Sequence, residues 1–182
     1  MFLDFEPDMI FNPGFSVRAS GQMLDALDTK SQKWAGHGIP DNAPHQYVEG
    51  EYMKEDEYDE FINDNSDYVL RKFLPRIHGE LEVFSSLPPI NMLGLGLPGF
   101  AQLFLQPGLM KAFKAIYHAG LEALKWSALS ISFIKRMRNM GFPMLMGGGA
   151  ICAFDLISDL YRKMRGSMLD MFRQPEKLLE AI

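Results

Sequence analysis

Apolar side chains recur every three to four positions from about Gly108 to Asn139, at Leu109, Phe113, Ile116, Leu121, Leu124, Ala128, Ile131 and Ile134. That spacing predicts one long amphipathic helix with this stripe buried. Lys135, Arg136 and Arg138 in the last turn and Gly141 just beyond it form a stop signal. Upstream, "SGQMLDALDTK" predicts a short helix with Ser20 as a cap and Met23, Leu24 and Leu27 on one face. "KEDEYDEFI" predicts a helix from Lys54 whose first turn carries Glu55, Asp56 and Glu57, anions that complement the free N–H groups there. "NSDYVLRKFLPRI" follows, capped by Asn65 or Ser66, burying Leu70, Phe73 and Leu74, and ended or kinked by Pro75.

Two strands are legible. Met9 to Phe11 is a short apolar run stopped by Pro13 and Gly14, and Met144 to Met146 leads into the glycine-rich "GGGA". Gly36, Gly38, Pro40 and Pro44 predict a loop between the first two helices, and "SSLPPINM" a linker or short strand. "FDLISDLYRKMR" predicts the helix after the glycine-rich loop. Helix, strand, glycine-rich loop and helix in that order predict an α/β fold, predominantly helical with a few parallel strands. The last segment, "RQPEKLLEAI", starts as a helix with Pro175 at its first position and Leu178 and Leu179 on one face, then stops without a C-terminal signal. Two strands do not close a parallel sheet, so the chain is expected to be one part of a larger domain.

Composition narrows the function classes. Of 182 residues 47% are apolar and 12% aromatic, enough for a globular core. Residues 1 to 91 hold 17 acids against 7 bases, and residues 92 to 182 hold 6 against 11. No basic patch is interleaved with stacking aromatics, which sets nucleic acid aside. The most apolar stretch, around "NMLGLGLPGF", is broken by glycine and proline and predicts no membrane span. The single cysteine, Cys152, and acids where a signal peptide needs bases point to the cytoplasm.

The chemistry-capable side chains concentrate in "GHGIPDNAPHQYVEGEYMKEDEYDEF". His37 and His45 are candidate proton carriers, or loop histidines bonded to backbone. Glu49 and Glu51 alternate along an extended piece, share a face and are candidates for a cleft. The run from Glu55 to Glu60 reads as a solvated helix start. "GGGA" with Gly148, followed by Asp155, reads either as a substrate-facing loop or as close packing. Cys152 and the methionines read as buried fillers.

"DFEPDMIFNPG", "GHGIPDNAPHQYVEGEYMKEDEYDEFI", "DYVLRKFLPRI" and "GGGAICAFDLISDLYRKMRGSMLDMFRQPEKLLEAI" together resemble the uroporphyrinogen decarboxylase-like superfamily, in the branch related to cobalamin-dependent methyltransferases. The resemblance implies an internal segment of a (β/α)8 TIM barrel lacking the first part of the barrel and its C-terminal half. It implies methyl transfer in corrinoid-dependent metabolism, with a small-molecule methyl donor, a corrinoid protein as partner, and zinc held by later strands. Porphyrin decarboxylation is the alternative. Where decarboxylases hold the tetrapyrrole with an aspartate, this chain reads Asn12-Pro13, and Ala153 replaces a proline in the second loop. Asn12, Glu49, Gly148 and Asp155 are candidate substrate contacts, and His37, His45 and Glu51 are candidate catalytic residues. A third expectation is a catalytically inert chain that self-associates or pairs with a complementary one.

Overall fold

The computed structural model describes residues 21–43, 45–92, 97–144 and 152–182. Within them the chain is mostly helical with one small mixed sheet. The expected strand at Met9 to Phe11, Asn12, the Ser20 cap, Leu145 and Met146 of the second strand, and the "GGGA" loop with Gly148 lie outside the described residues.

Helix α1 (Gly21–Ala26) leads into β1 (Gln32–Ala35), β2 (Gly38–Ile39) and β3 (Gln46–Tyr47). The order is β2-β1-β3, with β1 parallel to β2 and antiparallel to β3. The segment expected to be loop therefore carries paired backbone. Gly36 and Gly38 take φ of +78° and +81°, which lets the chain double back within three residues and lay Ile39 beside Ala35.

A tight 3₁₀ turn at Glu55–Glu57 opens α2 (Tyr58–Asn63), as the sequence predicts. Helix α3 then runs as Asn65–Tyr68, widens at Val69–Phe73 and continues as Leu74–Ile77. Its cap is Asp64, one residue before those expected, whose carboxylate accepts from the Asp67 N–H. The widening sits just ahead of Pro75, which has no N–H to give to the preceding turn. A 3₁₀ stretch (Gly79–Ser86) and a turn (Ile90–Met92) replace the expected linker or strand. Then come α4 (Leu97–Leu103) and the 33-residue α5 (Pro107–Asn139), closed at Gly141.

The last region holds α6 (Ala153–Leu156, widening over Ile157–Tyr161), α7 (Lys163–Arg173) and α8 (Pro175–Ala181). Two apolar clusters result. Tyr52, Met53, Tyr58, Phe61, Phe73, Ile157, Tyr161 and Leu178 join α2 and α3 to α6 and α8, across about 100 residues of chain. Leu81, Phe84, Leu109 and Ala112 join the 3₁₀ stretch to the start of α5.

Three packing expectations are corrected. Helix α5 buries Leu109, Ala112, Ala115, Ala119, Ser130 and Met137, while Phe113, Ile116, Leu121, Leu124 and Ile131 of the expected stripe are exposed. Small side chains let α1 and the 3₁₀ stretch approach on the alanine side. On α8 only Leu178 is buried, and Leu179 is 72% exposed. Cys152 is exposed, as are Met92, Met110, Met164, Met168 and Met171, while Met53 and Met137 do fill core.

Candidate functional site

After β3 the chain runs extended through Glu51 and is pinned from both sides. Arg162, 3% exposed at its side chain, donates Nε to Asp170 Oδ2 at 2.5 Å and Nη2 to Oδ1 at 3.1 Å. Its Nη1 reaches the Met53 carbonyl at 2.6 Å and Glu51 Oε1 at 3.1 Å. Tyr58 donates to the same Asp170 at 2.9 Å, so the buried carboxylate meets a fork and a hydroxyl. Burial first, and then that bond to Asp170, push the Tyr58 hydroxyl above its ordinary range.

A second network lies beside it. Arg76 donates to both oxygens of Glu57 at 2.6 and 2.7 Å and to the Tyr52 carbonyl at 2.9 Å. Tyr68 and the Lys54 N–H also donate to Glu57, each at 2.9 Å. Burial alone raises the Glu57 carboxyl, but the bonds from Arg76, Lys54 and Tyr68 outweigh it and hold the group well below the carboxylate range. Glu57 is thus a buried structural anion, which corrects its reading as part of a solvated face; Glu55, Asp56, Asp59 and Glu60 remain exposed.

Lys163 follows Arg162 with φ of +60°, a left-handed conformation costing a side chain roughly 1 kcal/mol or more. Its ammonium donates to the Asp159 carbonyl at 2.6 Å and lies 4.8 and 5.1 Å from the ring centres of Tyr47 and Tyr52. Burial pushes this amine below its ordinary range, against Glu49 and Asp159. The reversal at Lys163 separates the widened end of α6 from α7 and turns the Arg162 guanidinium inward.

Between these elements opens a cleft of about 530 Å³, lined by Glu49, Glu51 and Glu55 from one segment and by Arg162, Arg165 and Arg173 from the other. Glu51 pairs with Arg162, and Glu55 with Arg173 at 2.9 Å. Gly50, Gly166 and Leu169 complete the lining.

Glu49 and Glu51, expected to share a cleft face, both line this one. His37, expected to join them, instead contacts Asp25 at 3.2 Å and stacks on Trp34 at 5.1 Å. His45 sits edge-on to Tyr47 at 5.7 Å. Neither histidine lines the cleft, because the turn at Gly36–Gly38 and the register of β3 point them elsewhere. Asp155 lies exposed in the first turn of α6, also outside the cleft. Sequence reasoning missed Arg162, Arg165 and Arg173. For Arg165 and Arg173 the available signal was their spacing in "RGSMLDMFR", which puts them on adjoining faces of one helix, whereas Arg162 lies before the reversal at Lys163.

Among the described residues no group of three or more His, Cys, Asp or Glu side chains is arranged to hold a metal ion, and no helix is long and apolar enough to cross a membrane. The cleft can bind charged groups through guanidinium forks and carboxylates. No family model matches the chain, and neither a curated protein nor a solved structure matches it.

Proposed function

We propose that the chain is part of a uroporphyrinogen decarboxylase-like enzyme, in the branch related to cobalamin-dependent methyltransferases, whose parent moves a methyl group in corrinoid-dependent metabolism. In this reading the helices belong to a (β/α)8 barrel in the cytoplasm, and the Glu49–Arg165 cleft contributes to substrate binding. The observation supporting it is a convergence. Two segments that carry the resemblance, "EGEYMKEDEYDEF" and "DLYRKMRGSMLDMFR", meet through Glu51–Arg162 at the cleft and through the buried pair Tyr58–Asp170, residues 111 and 112 positions apart.

Glu49 and Glu51 supply carboxylate acceptors at the mouth of that cleft, and Arg162 orients Glu51 while itself locked by Asp170. No donor set for zinc exists among the described residues, so zinc and a corrinoid protein are assigned to the complete enzyme and no step here passes through them.

The full-length gene product tests the reading in two assays: methyl transfer from methylcobalamin to a thiol, and loss of carboxylate from uroporphyrinogen. Methyl transfer that falls at least tenfold in Glu51→Gln, with the tetrapyrrole untouched, supports it. Turnover of the tetrapyrrole without methyl transfer overturns it.

A further inference from the structure

Two charges in the cleft are left over. Glu51 and Glu55 are matched by Arg162 and Arg173. Glu49 and Arg165 line the same space, and among the described residues neither has a hydrogen bond or ion pair. They do not reach each other: both are exposed, and no N–O approach within 4.0 Å joins them. The Lys163 ammonium, bonded to the Asp159 carbonyl, acts on Glu49 through space, but no hydrogen bond or ion pair joins the two.

We propose that this cleft binds a small zwitterion, with its cationic end at Glu49 and a carboxylate or phosphate at Arg165. An anion alone satisfies Arg165 but leaves Glu49 facing it, and a cation alone does the reverse. A molecule carrying both charges answers both residues at once. The surroundings suit a short apolar spacer. Leu169 stands one helical turn beyond Arg165 on the same face of α7, and Gly50 and Gly166, each next to one of the two charged residues, complete the lining; a Cβ at Gly50 would press on the Tyr52 ring at 3.0 Å. A Cβ at Gly166 would lie 3.3 Å from the locked Arg162 guanidinium, so the cleft floor has no slack there. The planar guanidinium of Arg165 accepts a carboxylate or a phosphate in the same two-pronged manner. Both residues are exposed, so the binding is salt-sensitive.

This inference rests on the cleft being the substrate-binding region proposed above, but it is read by binding alone. Titration of the protein, followed by amide chemical shifts, compares ω-amino acids from glycine to 6-aminohexanoate with the matched carboxylates and amines. A parallel arm compares phosphoethanolamine with inorganic phosphate and ethanolamine and separates the two anion sources. The expected result is that the best zwitterion of either arm binds at least tenfold more tightly than its single-charge counterparts, with shifts at residues 49–51 and 162–169. Arg165→Gln and Glu49→Gln each remove about a factor of ten, Arg165→Lys restores part of it, and Lys114→Gln on α5 changes nothing. Equal binding of zwitterion and anion, no saturation by roughly 10 mM, or unchanged affinity in Arg165→Gln with its fold intact by circular dichroism overturns the proposal. Selective zwitterion binding by an enzyme that transfers no methyl group would leave this inference standing and remove the functional reading. Methyl transfer with no such selectivity would do the opposite.

Discussion

Arg76 and Arg162 hold consecutive carbonyls of the same backbone: Arg76 Nη1 donates to Tyr52 at 2.9 Å and Arg162 Nη1 to Met53 at 2.6 Å. Each is also forked onto a buried carboxylate that accepts from a tyrosine, Glu57 with Tyr68 and Asp170 with Tyr58. The stretch leading from the cleft into α2 is thus fixed from two directions by the same chemistry.

Removing Asp170 strips the buried Arg162 guanidinium of its forked partner and leaves it only the Met53 carbonyl and the exposed Glu51. Asp170→Ala is expected to destabilise the fold by about 3–5 kcal/mol. Arg173→Ala, which breaks only the exposed pair with Glu55, is expected to stay within about 1 kcal/mol. Denaturant melts of the two variants check the contrast, and equal losses would contradict it.

Stability depends on pH in two windows. Burial lowers the His78 imidazole from 6.5 to about 4, against the opposing pull of Asp28, and Thr29 Oγ1 lies 3.0 Å from its Nδ1. As pH falls from 6.5 towards 4 the unfolded chain takes up this proton first, so the stabilisation present above 6.5 is lost across that interval. Glu57, held below its ordinary 4.5, adds stability that is full above that value and is lost only as pH falls further. Melting temperature against pH should show both declines, and His78→Gln should flatten only the first.

Two glycines in helices predict opposite outcomes. A Cβ at Gly120, in the middle of α5, meets nothing within 4 Å, so Gly120→Ala should stabilise by about 0.5–1 kcal/mol. At Gly166 the same helical gain is opposed by the Arg162 guanidinium, which Asp170 prevents from yielding. Gly166→Ala is therefore expected to gain nothing or lose stability, by thermal melts of both variants.

The exposed row on α5 predicts association. Phe113, Ile116, Leu124 and Ile131 recur on one face of the helix, and all four are exposed. Sedimentation should show mass rising with concentration, and the double variant Leu124→Glu, Ile131→Glu should move the distribution towards monomer.

Local signals were legible where one element decides the outcome. The length of α5, its stop at Gly141, the acidic turn before Tyr58 and the start of α8 at Pro175 all follow from spacing and caps. What periodicity cannot supply is the partner. Helix α5 has an alanine face and a large-residue face, and only the approach of α1 and the 3₁₀ stretch selects the alanines. Likewise the acidic stretch shows seven carboxylates but not which one is buried, because Arg76 chooses Glu57 through tertiary contact. Glu49 and Glu51 could be named from alternation, whereas Arg162 and Arg165, over 100 positions away, could not be paired with them.

The clamp on Met53 has a consequence for the order of assembly. Its holder, Arg162, comes 109 positions later, and Asp170 follows 112 positions after Tyr58. During synthesis at roughly 5–20 residues per second, the glutamate wall is made several seconds before the arginines that oppose it. Until α7 emerges, Arg76 and Tyr68 can already hold Tyr52 and Glu57, but the Met53 carbonyl and the Tyr58 hydroxyl wait for their partners, and the cleft has only its glutamate wall.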